Sequence, residues 1–117
     1  GNAAMAACLY ALWALPGAGL AVATALLAGV GFFGASYGLV VAHGRAFVPP
    51  PLVGRGVTLF NLFGVGAVGL AQVATGHLHA QAAPLGPEAA YGPLFLFFAV
   101  AVTLGLIVYA FARDRTD

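Results

Sequence analysis

Charge is nearly absent from this chain, and the length of the gaps between charges decides what it can fold into. No Asp, Glu, Lys or Arg occurs from Gly1 to Gly44, from Gly56 to Pro87, or from Ala89 to Ala112. A soluble domain carries about a quarter of its residues as these four types. Here the share is 6%, against 62% hydrophobic residues, and the mean hydropathy is +1.02. The expected solvent for most of the chain is therefore lipid. A net charge of +1 excludes the electrostatic footprint of a nucleic-acid binder. Cys8 is the only cysteine, so no internal disulfide can form. With no charged neighbour in sequence to activate it, Cys8 reads as a small packing residue.

A spanning helix needs about 20 apolar residues, rising ~1.5 Å each, to cross ~30 Å of hydrocarbon. The first charge-free block is too long for one helix, and "LPGAG", Leu15 to Gly19, breaks it, because proline lacks an amide hydrogen and glycine is flexible. The expectation is an all-α, polytopic membrane helical bundle of about four transmembrane segments, over residues 3–15, 17–42, 55–76 and 91–112. The first of these is only part of a span. The chain also does not open as a secretory signal does, so it is expected to begin inside a longer polypeptide. His43 to Gly56 and Gly76 to Gly92 read as loops, the first with three consecutive prolines that favour an extended polyproline path. Pro93 is placed in the first turn of the last span, where a missing donor does little harm.

The arginines set the expected orientation. Arg45 and Arg55 flank the proline loop, Arg113 and Arg115 lie in the tail at 113–117, and the other connectors hold neither Lys nor Arg. By the positive-inside rule the proline loop and the C-terminus are cytoplasmic, in what is taken to be a bacterial inner (plasma) membrane. Arg45 and Arg55 read first as topology anchors. The alternative is an ion pair that locks a gate, with its partner outside this chain.

Two stretches, "GVGFFG" (Gly29 to Gly34) and "GVGAVG" (Gly64 to Gly69), match the Gly-x-Gly-x-x-Gly dinucleotide fingerprint. That fingerprint works after a strand, at the start of a helix, with an acidic residue about 20 positions on. Both copies lie in the middle of lipid-length segments, and the positions where the acid belongs hold Gly54 and Ala89. The helical reading places Gly31, Gly34 and Gly38 on one face, with Ala35 and Ala42, and Gly66 and Gly69 on a shared face of the next span, at ~100° per residue. Small faces let helix backbones approach closely when lipid removes the hydrophobic drive.

Polar residues inside spans are costly and tend to face protein or water. Thr58, Asn61, Gln72 and Thr75 fall in a sector about 100° wide, with Asn61 and Gln72 nearly eclipsed. They read either as the lining of a polar cavity or as hydrogen-bonding glue to a neighbouring helix. The plain reading of Ser36 is a hydroxyl bonded to preceding carbonyls of its own helix, and Tyr37 stays open between the two roles. The first and last apolar stretches carry few hydrogen-bonding groups and read as mostly lipid-facing. His77 and His79 are two ligands at most and read as a solvated loop pair, not a metal site.

The segment "GFFGASYGLVVAHGRAFVPPPLVGRGVTLFNLFGVGAVGLAQVATG" resembles the tenth and eleventh helices of a major facilitator superfamily transporter. There, a Gly-rich helix descends to the cytoplasm, a short loop carries Pro and then Arg-Gly, and a Gly-rich helix returns. "YGPLFLFFAVAVTLGLIVYAFARDRTD" is similar to the twelfth helix and its tail, and 3–15 would be the end of the ninth. The resemblance implies the C-terminal part of a twelve-helix fold of two six-helix halves that rock around a central site. It also implies secondary-active transport of a small solute by alternating access. Helices ten and eleven would help line the site, with nine and twelve outside. Ser36, Tyr37, Asn61 and Gln72 then become substrate-path candidates. The partners would be the bilayer, the remaining helices and an unknown solute; no enzyme activity, cofactor, metal or nucleic acid is expected. The rival readings are a small four-helix multidrug exporter, which depends on a Glu in its first helix that this chain lacks, a structural subunit of a membrane complex, and a membrane enzyme, for which only the His77 and His79 pair is at hand.

Overall fold

The computed structural model describes residues 1–112; the expected tail, with Arg113 and Arg115, lies outside the described residues. Five α-helices follow one another: α1 (Asn2–Ala14), α2 (Leu20–Gly34), α3 (Tyr37–Arg45), α4 (Val53–Ala82) and α5 (Pro87–Ala110). Single 3-10 turns at Pro50–Leu52 and Ala83–Leu85 lead into α4 and out of it. Helix satisfies every backbone group within its own segment, which hydrocarbon demands. Three apolar stretches, Leu20–Arg45, Pro50–Leu85 and Pro87–Ala110, are long enough to cross a membrane, and Asn2–Ala14 is a shorter apolar helix. These three suggest an integral membrane protein. The molecule measures 53 × 25 × 22 Å, and α4 alone is ~45 Å long at 1.5 Å per residue.

Several expected boundaries move. The 17–42 span starts at Leu20, ends at Arg45 and is interrupted at Ala35 and Ser36. There the amides of Ala35 and Ser36 bond back to the carbonyls of Phe32 and Phe33, three residues earlier, a local 3-10 tightening. The 55–76 span runs on to Ala82, so the expected loop from Gly76 to Gly92 shrinks to the turn before Pro87. Nothing in "GHLHAQA" stops a helix; Pro84 and Gly86, at φ +106°, do. His77 and His79 therefore lie on α4 and not in a loop. The 91–112 span begins at Pro87 and ends at Ala110, which puts Pro93 inside α5 instead of in its first turn and leaves the Ala89 carbonyl without its helical donor. The proline segment is extended only at Pro49 (φ −55°, ψ 141°), and Pro50 to Leu52 close into a 3-10 turn. Arg45 and Arg55 sit on the ends of α3 and α4 that flank this short connection.

The first helix is not a lipid-facing outlier within this chain. It wedges between α2 and α5 and buries Ala6, Leu9 and Leu12, while Ala99 of α5 is fully covered. Small residues make the approach possible. A Cβ on Gly29 would lie 3.0 Å from the Cys8 sulfur, and one on Gly34 would lie 3.5 Å from the Met5 sulfur. Across the other side of the wedge, Tyr10 Oη lies 3.0 Å from Thr103 Oγ1. Thr103 donates its own proton to the Ala99 carbonyl at 2.7 Å, so Tyr10 is the donor. In membrane proteins such interhelical bonds average about 0.6 kcal/mol and reach about 1.7. A double-mutant cycle of Tyr10→Phe and Thr103→Val, read by unfolding in mixed micelles, is expected to return a coupling in that range.

The ends of the molecule are distinct. His43 stacks edge-on against Tyr109 at 5.5 Å, which brings the ends of α3 and α5 to the same pole as Arg45 and Arg55. At the other pole Pro16 and Gly17 lie beside Leu85, Gly86, Pro87 and Glu88. The α3–α4 connection is tight: a Cβ on Gly44 would meet the Phe60 ring at 2.8 Å, and one on Gly56 would meet both methyls of Val48 at 2.8 and 3.0 Å, whereas Gly54 has open space. Val48 is short and stiff at χ1, so the connection itself must move to admit Gly56→Ala. That variant is expected to lower the melting temperature in detergent. Gly54→Ala is expected to leave it unchanged or raise it slightly, because glycine costs about 0.5–1 kcal/mol against alanine within a helix.

Candidate functional site

The polar side chains on α3 and α4 divide into two groups. Tyr37, in the first turn of α3, donates from Oη to Asn61 Oδ1 at 3.4 Å, a long bond between two exposed residues. Its hydroxyl also lies where a Cβ on Gly64 would be, at 3.2 Å, so glycine at the head of "GVGAVG" gives the ring room to cross to α4. Eleven residues on, ~16 Å along the axis, Gln72 is exposed and its side-chain amide bonds to no other described residue.

The two hydroxyls of the stripe are already engaged. Thr58 Oγ1 donates to the Gly54 carbonyl at 3.0 Å, and Thr75 Oγ1 donates to the Ala71 carbonyl at 2.8 Å. Thr75 is buried against α5, with only 8% exposed. The stripe thus separates into two satisfied threonines and two amides with hydrogen-bonding capacity to spare. An amide has two donors and two acceptor lone pairs, and Asn61 uses one acceptor.

Ser36 does not behave as its plain reading predicts. Its hydroxyl donates to Asn2 Oδ1 at 2.6 Å, across to the start of α1, and not to a carbonyl of its own helix. The reason is geometric: Gly1 has no side chain, and a Cβ there would lie 3.0 Å from the Ser36 Cβ. The α1 terminus therefore reaches the α2–α3 step. Ser36 is thereby drawn into the packing of α1, away from Tyr37 and Asn61.

The glycines also divide. Gly34 meets α1, but Gly31, Gly38, Gly66 and Gly69 would each carry a Cβ into open space. No described atom of another element comes within 4 Å of those four Cβ positions. The close approaches inside the chain are made by Gly29, Gly44, Gly56 and Gly64 instead. The signal for Gly44 and Gly56 was local: each lies beside a bulky residue across a short turn, which a face-by-face reading of separate spans does not register.

His79, read from the sequence as a loop residue, meets Tyr91 toward the pole opposite Arg45 and Arg55. His79 on α4 and Tyr91 on α5 have ring centroids 5.0 Å apart. With Gln72, Thr75, Gly76 and Leu94 they line a shallow cavity of about 320 Å³. The helical spacing 72, 75, 76, 79 would have grouped Gln72 with His79, had α4 been seen to continue past Gly76. No three His, Cys, Asp or Glu residues cluster among the described residues.

No protein-family model matches this chain, and no curated protein or solved structure matches it.

The exposure of the amides is directly testable. In detergent, Asn61→Cys and Gln72→Cys, each in a Cys8→Ala background, are expected to react readily with a water-soluble maleimide. Thr75→Cys is expected to react at least tenfold more slowly, as burial of thiols suppresses their reactivity.

Proposed function

We propose that this chain forms the C-terminal helices of a secondary-active transporter of the major facilitator type, with α1 as the end of a ninth helix, α2 and α3 as the tenth, α4 as the eleventh and α5 as the twelfth. The observation that carries the reading is the division of labour between helices. The packing core of the chain is α1 with α5 and α2, while Tyr37, Asn61 and Gln72 stand exposed on α3 and α4, beside glycine positions with no neighbour. Exposed amides and bare glycines in apolar helices call for a partner other than lipid. In this reading the partner is the opposing half of the transporter, and the amides face the path between the halves. The two described arginines at one pole, with the α5 end beside them, fit a cytoplasmic placement of that pole.

The role of the fragment is to supply hydrogen bonds from Asn61 and Gln72, with the Tyr37 hydroxyl, to a small solute as the halves rock. The moving contact would run along the open faces of Gly31, Gly38, Gly66 and Gly69.

Two measurements test this. The reading frame upstream of Gly1 is expected to encode about eight further apolar segments, as two six-helix halves require; a start codon immediately before Gly1 would sink the proposal. In the complete protein, Asn61→Ala combined with Gln72→Ala is expected to reduce solute flux at least tenfold with unchanged membrane abundance. Removing buried hydrogen bonds to a substrate costs on the order of 1–3 kcal/mol each. Unchanged flux would return both amides to a packing role.

A further inference from the structure

At the pole opposite Arg45 and Arg55 a cleft of about 460 Å³ opens between α1, α2 and α5, within the size range of small-molecule sites, about 300–1,000 Å³. Its walls are Leu12 and Leu15, Ala23 and Leu27, with Tyr91 and Phe95 on the α5 side. The polar group at its rim is Glu88, which also borders the adjoining surface cavity around Pro16 and Gly86. We propose that this cleft binds a lipophilic monocation, with its apolar body among the leucines and aromatic rings and its charge against the Glu88 carboxylate.

Three observations converge. First, Glu88 is the one acidic side chain among the described residues, and it forms no ion pair or hydrogen bond to another described residue. Arg45 and Arg55 lie at the opposite pole, so neither competes for it. Second, Tyr91 and Phe95 follow Glu88 at helical spacings of three and seven, which places carboxylate and rings along one side of α5. A cation held there meets both a negative charge and aromatic faces, which attract cations within about 6 Å of the ring centroid. Third, the cleft is kept open by the absence of a side chain at Gly92, which lines it and where a Cβ would meet nothing within 4 Å. An acidic residue in the first turn of a helix also favours the helix dipole. That role needs neither the aromatic pair nor the cleft, and it leaves the outward charge available.

The inference does not depend on the transport reading, because it concerns equilibrium binding at a site away from Asn61 and Gln72. The test uses the chain in phosphatidylcholine nanodiscs, with empty nanodiscs subtracted. Tetraphenylphosphonium is the probe and tetraphenylborate is the control of the same shape and opposite charge. Saturable binding of the cation, one per chain, is expected, with no saturable site for the anion. Glu88→Gln preserves shape and is expected to weaken cation binding at least tenfold. Gly92→Leu is expected to abolish it by filling the cleft, and Trp13 emission reports whether that variant stays folded. Equal affinity in Glu88→Gln, saturable binding of the anion with similar affinity, or no binding above empty nanodiscs would each overturn the proposal.

Discussion

The architecture depends on how closely α1 can approach its two neighbours. A helix inserted between two others in lipid gains nothing from expelling water, so its place must come from van der Waals fit and a few hydrogen bonds. The fit here is made of small surfaces: Ala6 and Ala99 buried, Gly29 against the Cys8 sulfur, Gly34 against Met5. The hydrogen bonds lie on either side of the wedge, Ser36 to Asn2 towards α2 and Tyr10 to Thr103 towards α5. With α1 filling that position beside α2, α4 packs against α5 and, near their connecting turn, against α3. The outward surfaces of α2 and α4, including Leu62, Phe63, Leu70 and Phe32, stay exposed.

The fold class was legible because lipid imposes it. Charge-free runs of spanning length leave helix as the one economical backbone solution, and the three long helices lie where those runs predict. Boundaries were less legible, for a reason visible at Gly76 and Pro87. Polar residues such as His77, His79 and Gln81 look like loop in a hydropathy reading, yet none of them breaks a helix, whereas Pro84 and Gly86 do. Charge marks where lipid ends; only backbone chemistry marks where a helix ends.

The candidate site was legible in composition but not in its partners. Angular arithmetic on one helix put Thr58, Asn61, Gln72 and Thr75 in one sector, and all four lie on the continuous helix α4. It did not separate threonines bonded to their own carbonyls from amides left over, because Thr and Ser can turn back on the helix while Asn and Gln at these positions did not. The bond from Ser36 to Asn2 joins residues 34 apart in sequence, and no periodicity within one span contains it. His79 and Tyr91 were missed for the same reason: their contact exists only once α4 and α5 fold into a hairpin.

The step at Ala35 and Ser36 changes the azimuth of everything after it. A 3-10 turn advances about 120° per residue and an α-helix about 100°, so two tightened residues over-rotate the chain by roughly 40°. On an unbroken helix Gly34 and Gly38 would share a heading. The tightened step lies between them: Gly34 lies beside Met5, a Cβ on Gly38 would meet nothing within 4 Å, and Tyr37 reaches Asn61. One apolar segment thereby presents two differently aimed faces, a small one that packs on α1 and a polar one that meets α4. A register change of about half a residue's turn sets which helix each half of the segment addresses.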